Sequence, residues 1–238
     1  MAVKGKIHSI QSLAALDGPG VRFAVFFQGC NLRCGCCHNP DTHDLGGGQE
    51  CFADDIVKKA VRYKEYFGKD GGITISGGEP LLQLGFATEI FSLAKKEGIN
   101  TCLDTSGSIL NEEVKALLSV CDRVMLDIKY VSEEQYQKYV GCSIEIPLAF
   151  LRLLNQMQIP TTLRQVIIPT LNDNKESAEK LLKIAKEHTC VDKIELLPFR
   201  KLCAVKYDNL KKPFPFAHLP EPTKEKMAVL EEIIREYK

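Results

Sequence analysis

The chain has 238 residues, 45% of them hydrophobic, and its 31 basic and 31 acidic side chains leave no net charge. That composition supports a sizeable buried core and excludes a disordered chain. Balanced charge gives no global reason to bind nucleic acid or an anionic membrane, and no apolar run approaches the ~20 residues that span a bilayer. The segment Met1 to Lys6 leads into a short mixed stretch, not the apolar run of a signal peptide, so a cytoplasmic, reducing location is expected.

In chain order, the turn signal Asp17-Gly-Pro-Gly20 precedes a β-rich run, Phe23 to Phe27. A helix is predicted over Ala53 to Phe67, with Ile56, Val57 and Ala60 at helical spacing. A strand over Gly72 to Ser76 is followed by a helix from Leu81 to Lys96, ended by Gly98. Ile99 to Leu103 reads as a strand, and Asn111 as the cap of a helix through Leu118. Arg123 to Ile128 is the next strand, and Ser132 with Gln135 forms a capping box on the helix after it. The rest reads as helix (Pro147 to Gln156), strand (Thr161 to Ile168), helix (Asn174 to Glu187), strand (Lys193 to Leu197) and helix (Thr223 to Glu236).

Strands alternating with helices imply parallel pairing and right-handed crossovers. Six such units are too few for a closed eight-stranded barrel. The expected fold is therefore α/β, a partial (β/α)6 TIM-type barrel open on one side, in a single domain over residues 1–238. In such folds the chemistry sits at the C-terminal ends of the strands.

The first strand end carries Cys30, Cys34, Cys36 and Cys37, four of ten cysteines, packed too closely for disulfides and therefore suited to metal or redox chemistry. The other six are scattered and read mostly as buried thiols. Thiolates suit iron–sulfur clusters and zinc alike. Cys36 or His38 could complete a zinc shell, but four donors within eight adjacent residues would strain a tetrahedron. Three cysteines on a [4Fe–4S] cube leave one iron open to a substrate. The second strand end carries Gly77-Gly78-Glu79, by itself an ordinary glycine turn. The third carries Asp104 and the fourth Asp127-Ile128-Lys129, whose two charged members point the same way on an extended segment. Arg164 on the fifth strand reads as a snorkelling arginine or as a bidentate clamp on a carboxylate, and Arg200 follows the sixth.

The spacing Cys30-x3-Cys34-x2-Cys37 after the first strand resembles the signature of the radical S-adenosylmethionine superfamily. Asp17-Gly-Pro-Gly-Val-Arg22, Cys37-His-Asn-Pro40, Ser76-Gly-Gly-Glu79, Val124-Met-Leu-Asp-Ile-Lys129 and Lys193-Ile-Glu-Leu-Leu-Pro198 extend the resemblance. In register over nearly the whole chain, they are similar to the family of pyruvate formate-lyase activating enzymes. The resemblance implies that Cys30, Cys34 and Cys37 hold a [4Fe–4S] cluster. It implies that Cys36, Cys37, His38, Gly77, Gly78, Glu79, Asp104, Asp127, Ile128, Lys129, Arg164 and Arg200 line the S-adenosylmethionine site, with a monovalent cation near Asp104 and Asp127. It implies reductive cleavage of S-adenosylmethionine to a 5′-deoxyadenosyl radical, which takes hydrogen from a glycine of a glycyl-radical enzyme, pyruvate formate-lyase. It also implies an electron from a low-potential donor such as flavodoxin or ferredoxin, with no acid–base pair needed.

The short connection from Asp41 to Cys51 lacks the cysteine-rich insert of many related activases. Three positions depart from the family pattern: Cys36 replaces an aromatic residue, Arg200 a histidine and Cys203 a glycine. The alternatives are an activase of another glycyl-radical enzyme, a radical enzyme with a small-molecule substrate, and a zinc-binding scaffold.

Overall fold

The computed structural model describes Val3–Arg235 and Tyr237. Met1 and Ala2 of the leading segment, and Glu236 at the expected end of the last helix, lie outside the described residues. The chain divides into two compact units, Met1–Asn31 with Thr42–Met125, and Leu32–Asp41 with Leu126–Lys238.

The first unit contains β1 (Lys4–Ala14), β2 (Arg22–Phe27), β3 (Gln49–Phe52), α1 (Ala53–Val61), β4 (Gly72–Gly77), α2 (Leu84–Lys96), β5 (Asn100–Thr105) and α3 (Glu112–Leu118). It also holds the start of β6 (Arg123–Asp127). Strands β2, β4 and β5 pair in parallel, Phe23 opposite Ile73 and Ile73 opposite Thr101. Parallel strands covered on both faces need apolar residues on both, and Phe23, Ala24, Val25, Ile73 and Ile75 are all buried. The neighbouring helices α1 and α2 bury Ile56, Val57 and Ala60, and Phe86, Ala87, Ile90, Phe91 and Ala94, respectively.

Two strands of this unit escape the sequence pattern. β1 pairs antiparallel with β2 on one side and with β3 on the other. Its residues alternate imperfectly because only Ile7 and Ala14 are buried, so the stretch reads as mixed. The predicted helix from Ala53 to Phe67 ends at Val61 and gives way to a 3-10 turn at Lys64–Tyr66. The next one begins as a 3-10 turn over Pro80–Gln83 before becoming α-helical.

The second unit takes the end of β6, α4 (Glu133–Tyr139), α5 (Glu145–Met157), β7 (Thr161–Ile167), α6 (Lys175–Lys186), β8 (Val191–Pro198), α7 (Ala204–Asn209) and α8 (Lys224–Ile234). β7 and β8 are parallel. Asn174 accepts from Ser177 N at 2.9 Å and Thr223 from Lys226 N at 3.2 Å, each meeting one unpaired donor of a first turn. Only half of the expected capping box at α4 forms. Ser132 accepts from Gln135 N, but the Gln135 side chain donates to Leu171 O at 2.7 Å instead of folding back. The strand order is β3-β1-β2-β4-β5-β6-β7-β8, so the six strands from β2 onward follow the βα order expected of an open, partial barrel.

Candidate cofactor site

In the first unit the turn after β4 is built against the strand end that leads to Cys30. Gly78 N donates to Phe27 O at 3.0 Å and Glu79 N to Gly29 O at 2.8 Å. Gly77 has φ of 104°, and a Cβ on it would collide with Phe27 N; one on Gly78 would overlap Gly29 O. Both glycines are therefore required by close backbone approach, before any ligand is considered.

Glu79 is 1% exposed, and its carboxylate is fully engaged. It accepts from Leu81 N at 3.1 Å, Thr105 Oγ1 at 2.6 Å, Ser106 N at 3.0 Å and the Ser106 hydroxyl. The side chain thus ties the β4 turn to the end of β5. Thr105 and Ser106 are site-building residues to which the sequence assigned no role; two small hydroxyl side chains at a strand end were the available signal. Beside them, Asp104 Oδ2 accepts from Ser76 Oγ at 2.8 Å.

Arg22 anchors the preceding loop. Its buried guanidinium donates to Thr74 Oγ1 at 2.9 Å, Ile73 O at 2.7 Å, Asn100 Oδ1 at 2.9 Å and Asp70 O at 3.1 Å. The Thr74 hydroxyl in turn donates to Asp17 O at 2.7 Å. Burial holds the arginine below its usual range, against the opposing fields of Cys102, Cys121 and Asp122.

In the second unit the end of β6 carries a three-membered charge cluster. Lys129 Nζ lies 3.0 Å from Asp127 Oδ2, while Arg164 contacts Asp127 Oδ1 through Nε at 3.0 Å and through its terminal nitrogen at 2.9 Å. Two cations share one anion, leaving one net positive charge in a site that is only slightly exposed. Burial opposes the Asp127 carboxylate, but Arg164 and then Lys129 outweigh it and keep its pKa below the usual range. For Lys129, burial works against the ammonium, yet Asp127 and the thiols of Cys34 and Cys36 hold its pKa well above normal. Ile128, between them, donates its N–H to Arg164 O at 2.9 Å.

The cysteine loop of this unit is fixed by backbone and aromatic contacts. Cys37 N donates to Cys34 O at 3.1 Å, and Gly35 N to Tyr139 O at 2.9 Å. Gly35 lies so close over Phe216 that a Cβ would enter its ring. Tyr139 packs edge-on against Phe216, with ring centroids 5.6 Å apart, and Tyr207 donates its hydroxyl to Cys37 O at 3.3 Å. The Cys36 thiol is raised by burial, in part offset by Lys129. Burial and then Lys206 hold His38 below its usual pKa. Arg200 is exposed and engaged by Glu221 at 2.7 Å, and Cys203 is buried just ahead of α7.

None of the ten cysteines is joined in a disulfide. Among the described residues, no three His, Cys, Asp or Glu side chains gather tightly enough to hold one metal ion. A four-iron cube makes a different demand, since its thiolates are shared among separate irons, and three thiols in one loop match it. The net positive cluster at Asp127, Lys129 and Arg164 fits a ligand carboxylate, and the glycine turn fits close backbone approach, so these residues suit the cluster and S-adenosylmethionine.

The sequence of residues 24–182 matches the model of the radical SAM superfamily. The pyruvate formate-lyase-activating enzyme of Clostridium pasteurianum is 42% identical over 235 residues, 98% of either chain. The pyruvate formate-lyase 1-activating enzyme of Escherichia coli K12 is 39% identical over 240 residues, covering 100% of this chain and 98% of that one. A solved domain of a pyruvate formate-lyase-activating enzyme from Bacteroides vulgatus shares the fold, with a TM-score of 0.59 at 21% identity over 70% of this chain and 94% of its own. The chain belongs to the radical SAM superfamily, and within it to the family of pyruvate formate-lyase-activating enzymes. Its cofactors are accordingly a [4Fe–4S] cluster and S-adenosylmethionine.

Proposed function

We propose that this chain activates pyruvate formate-lyase by generating a glycyl radical in it. The carrying observation is 42% identity across 98% of both chains to an enzyme named for that activity. When bound, the cluster and S-adenosylmethionine supply one-electron chemistry that ends in removal of a hydrogen atom from a partner glycine.

The chain's own residues bind, orient and shield. Cys30, Cys34 and Cys37 would hold the cluster, with Cys36 beside them as a non-ligand that, with His38, borders the cofactor. The backbone of Gly77-Gly78-Glu79 would receive the amino group, because the Glu79 carboxylate is already committed to four donors. Lys129 and Arg164 would receive the carboxylate, Asp127 sharing its charge with both. Asp104, in the first unit, and Ile128, in the second, are the further residues to which this reading gives a cofactor contact. Arg200 would have to leave Glu221 to stack on adenine, so we place it at the rim. A cation near Asp104 and Asp127 would depend chiefly on Asp104, because both Asp127 oxygens face basic side chains.

The electron source in this reading is a small low-potential protein such as flavodoxin or ferredoxin, and the location cytoplasmic. Among the described residues no helix is long and apolar enough to cross a membrane. We treat residues 1–238 as one functional domain because the boundary between units falls inside β6 and not in a linker.

The test is anaerobic reconstitution with iron and sulfide, reduction with S-adenosylmethionine present, and addition of pyruvate formate-lyase. The expected outcome is a four-iron cluster signal, 5′-deoxyadenosine and a glycyl radical in the partner by electron paramagnetic resonance. Cofactor cleavage without a partner radical would move the assignment to another glycyl-radical enzyme or a small substrate; no four-iron signal would refute it.

A further inference from the structure

In the second unit, three polar side chains to which the sequence assigned no role converge on the main chain of Asp127, Ile128 and Lys129. Tyr136 of α4, Gln165 of β7 and Asn172 in the loop after β7 are each at most 2% exposed. The Tyr136 phenol oxygen accepts from Lys129 N at 3.1 Å and lies 3.5 Å from Asp127 O. Gln165 Nε2 donates to Ile128 O at 2.9 Å, while Ile128 N donates to the carbonyl of Arg164, the residue before Gln165. Asn172 accepts from Ile168 N at 2.7 Å, donates to Val166 O at 2.8 Å and reaches Lys129 O at 3.4 Å. Burying a polar side chain is costly unless it is hydrogen-bonded, and here three of them are committed to one short stretch past the end of β6. Their contacts are to main chain, so they leave the charges of Asp127, Lys129 and Arg164 as they are. What they fix is the direction in which Lys129 leaves the strand.

We infer that Tyr136 and Gln165 are positioning residues for the cofactor carboxylate: they set where Lys129 Nζ stands beside Arg164, and so make this site select a ligand that carries the carboxylate. The inference rests on the proposed function. A lysine ammonium is a point charge on a flexible stem, not a planar fork, so its place depends on where its backbone is held. Asp127 draws the ammonium to 3.0 Å from one side, and the braced main chain sets the other end of the stem. In a site only slightly open to water, attraction between charges falls steeply with separation. A small shift of Lys129 therefore weakens a carboxylate contact and leaves contacts to the rest of the ligand unchanged. Both residues act through Lys129, so neither is catalytic.

The test compares two ligands on wild type, Tyr136→Phe and Gln165→Met, each reconstituted and kept with the four-iron cluster oxidised so that the cofactor is not cleaved. The ligands are S-adenosylmethionine and its decarboxylated form, which keeps the sulfonium, adenosyl group and amine but lacks the carboxylate. Anaerobic equilibrium dialysis gives each Kd. Each variant should bind S-adenosylmethionine roughly five- to tenfold more weakly than wild type, and the decarboxylated ligand within about twofold of wild type. Tyr136→Phe keeps the edge-on contact of its ring with Tyr130, so it carries the test if Gln165→Met does not fold. Unchanged affinity of Tyr136→Phe for S-adenosylmethionine overturns the inference and leaves the side chains as partners of buried backbone alone. Equal weakening of both ligands also overturns it, because a general loosening of the fold does not distinguish them. Equal affinity of wild type for the two ligands overturns it without any variant. A wild type that takes up no four-iron cluster refutes the proposed function instead, so the two failures are distinguishable.

Discussion

Glu79 shows how one side chain can be committed before a ligand arrives. Its carboxylate meets four donors in a site closed to water, and three of them belong to Thr105 and Ser106. Glu79→Gln replaces one acceptor with a donor facing another donor. We expect a loss of about 1–3 kcal/mol, seen as a drop of several degrees in the thermal midpoint of the cluster-free protein. The cysteines make the complementary case. Cys30→Ala, Cys34→Ala and Cys37→Ala should each abolish the four-iron absorbance after reconstitution, whereas Cys36→Ser should retain it. The reverse result for Cys36 and Cys37 would overturn the ligand assignment. The cysteine spacing is legible in the sequence because all its members share one loop. The Thr105 and Ser106 partners of Glu79 are not, because they lie 26 and 27 residues away.

At the scale of elements, Arg22 and Asp127 decide how strand ends are held. Arg22 joins the start of β2 to β4, to Asn100 of β5 and, through Thr74, to the loop at Asp17. Arg22→Met keeps the stem but leaves several buried oxygens unpaired. A cost of about 3 kcal/mol or more is expected, measured as a lower urea midpoint. Asp127 ties the end of β6 to Arg164 of β7. Its folded-state pKa is depressed, so its contribution is fully present above the unfolded value of about 3.9 and is lost as pH falls through the lower folded value. For Lys129 the folded pKa is raised; its contribution holds below about pH 10.4 and is lost as pH rises through the folded value. Asp127→Asn should flatten the acid limb of stability against pH. It should also lower neutral stability, since two slightly exposed cations lose their shared anion. An unchanged acid limb would show that the cluster is not what acid disrupts.

For the whole molecule, a ligand that binds only the folded, loaded protein must stabilise all of it. S-adenosylmethionine at a hundred times its Kd should add about 2.7 kcal/mol to the cluster-loaded protein. That is a rise of about 5–10 °C in the unfolding midpoint for a chain of this length. Cluster-free protein should respond much less, because the proposed open iron is missing. Equal responses would place the cofactor's main contacts away from the cluster. The order of elements behind this site was largely readable: the six strands from β2 onward and most of the helices after them lie near their expected positions, whereas α7 after β8 was not expected. β1 and β3 were missed because their outward residues are polar and their apolar positions few. The half-formed box at α4 was misread because Gln135 has a competing carbonyl at Leu171, brought near only by folding.

The sequence by itself determined the three-thiol loop, its place after the first parallel strand and the polar residues at later strand ends. These are local patterns of spacing and of apolar runs between turn residues. Tertiary structure alone decided how those residues are used. It gave Glu79 to the end of β5, set Arg164 on Asp127 across 37 residues of chain, and buried Tyr130 with an unpaired hydroxyl. The reason is that a strand's own pattern encodes which of its faces are buried, whereas a buried polar group's partner is set by the strand or loop that packs beside it.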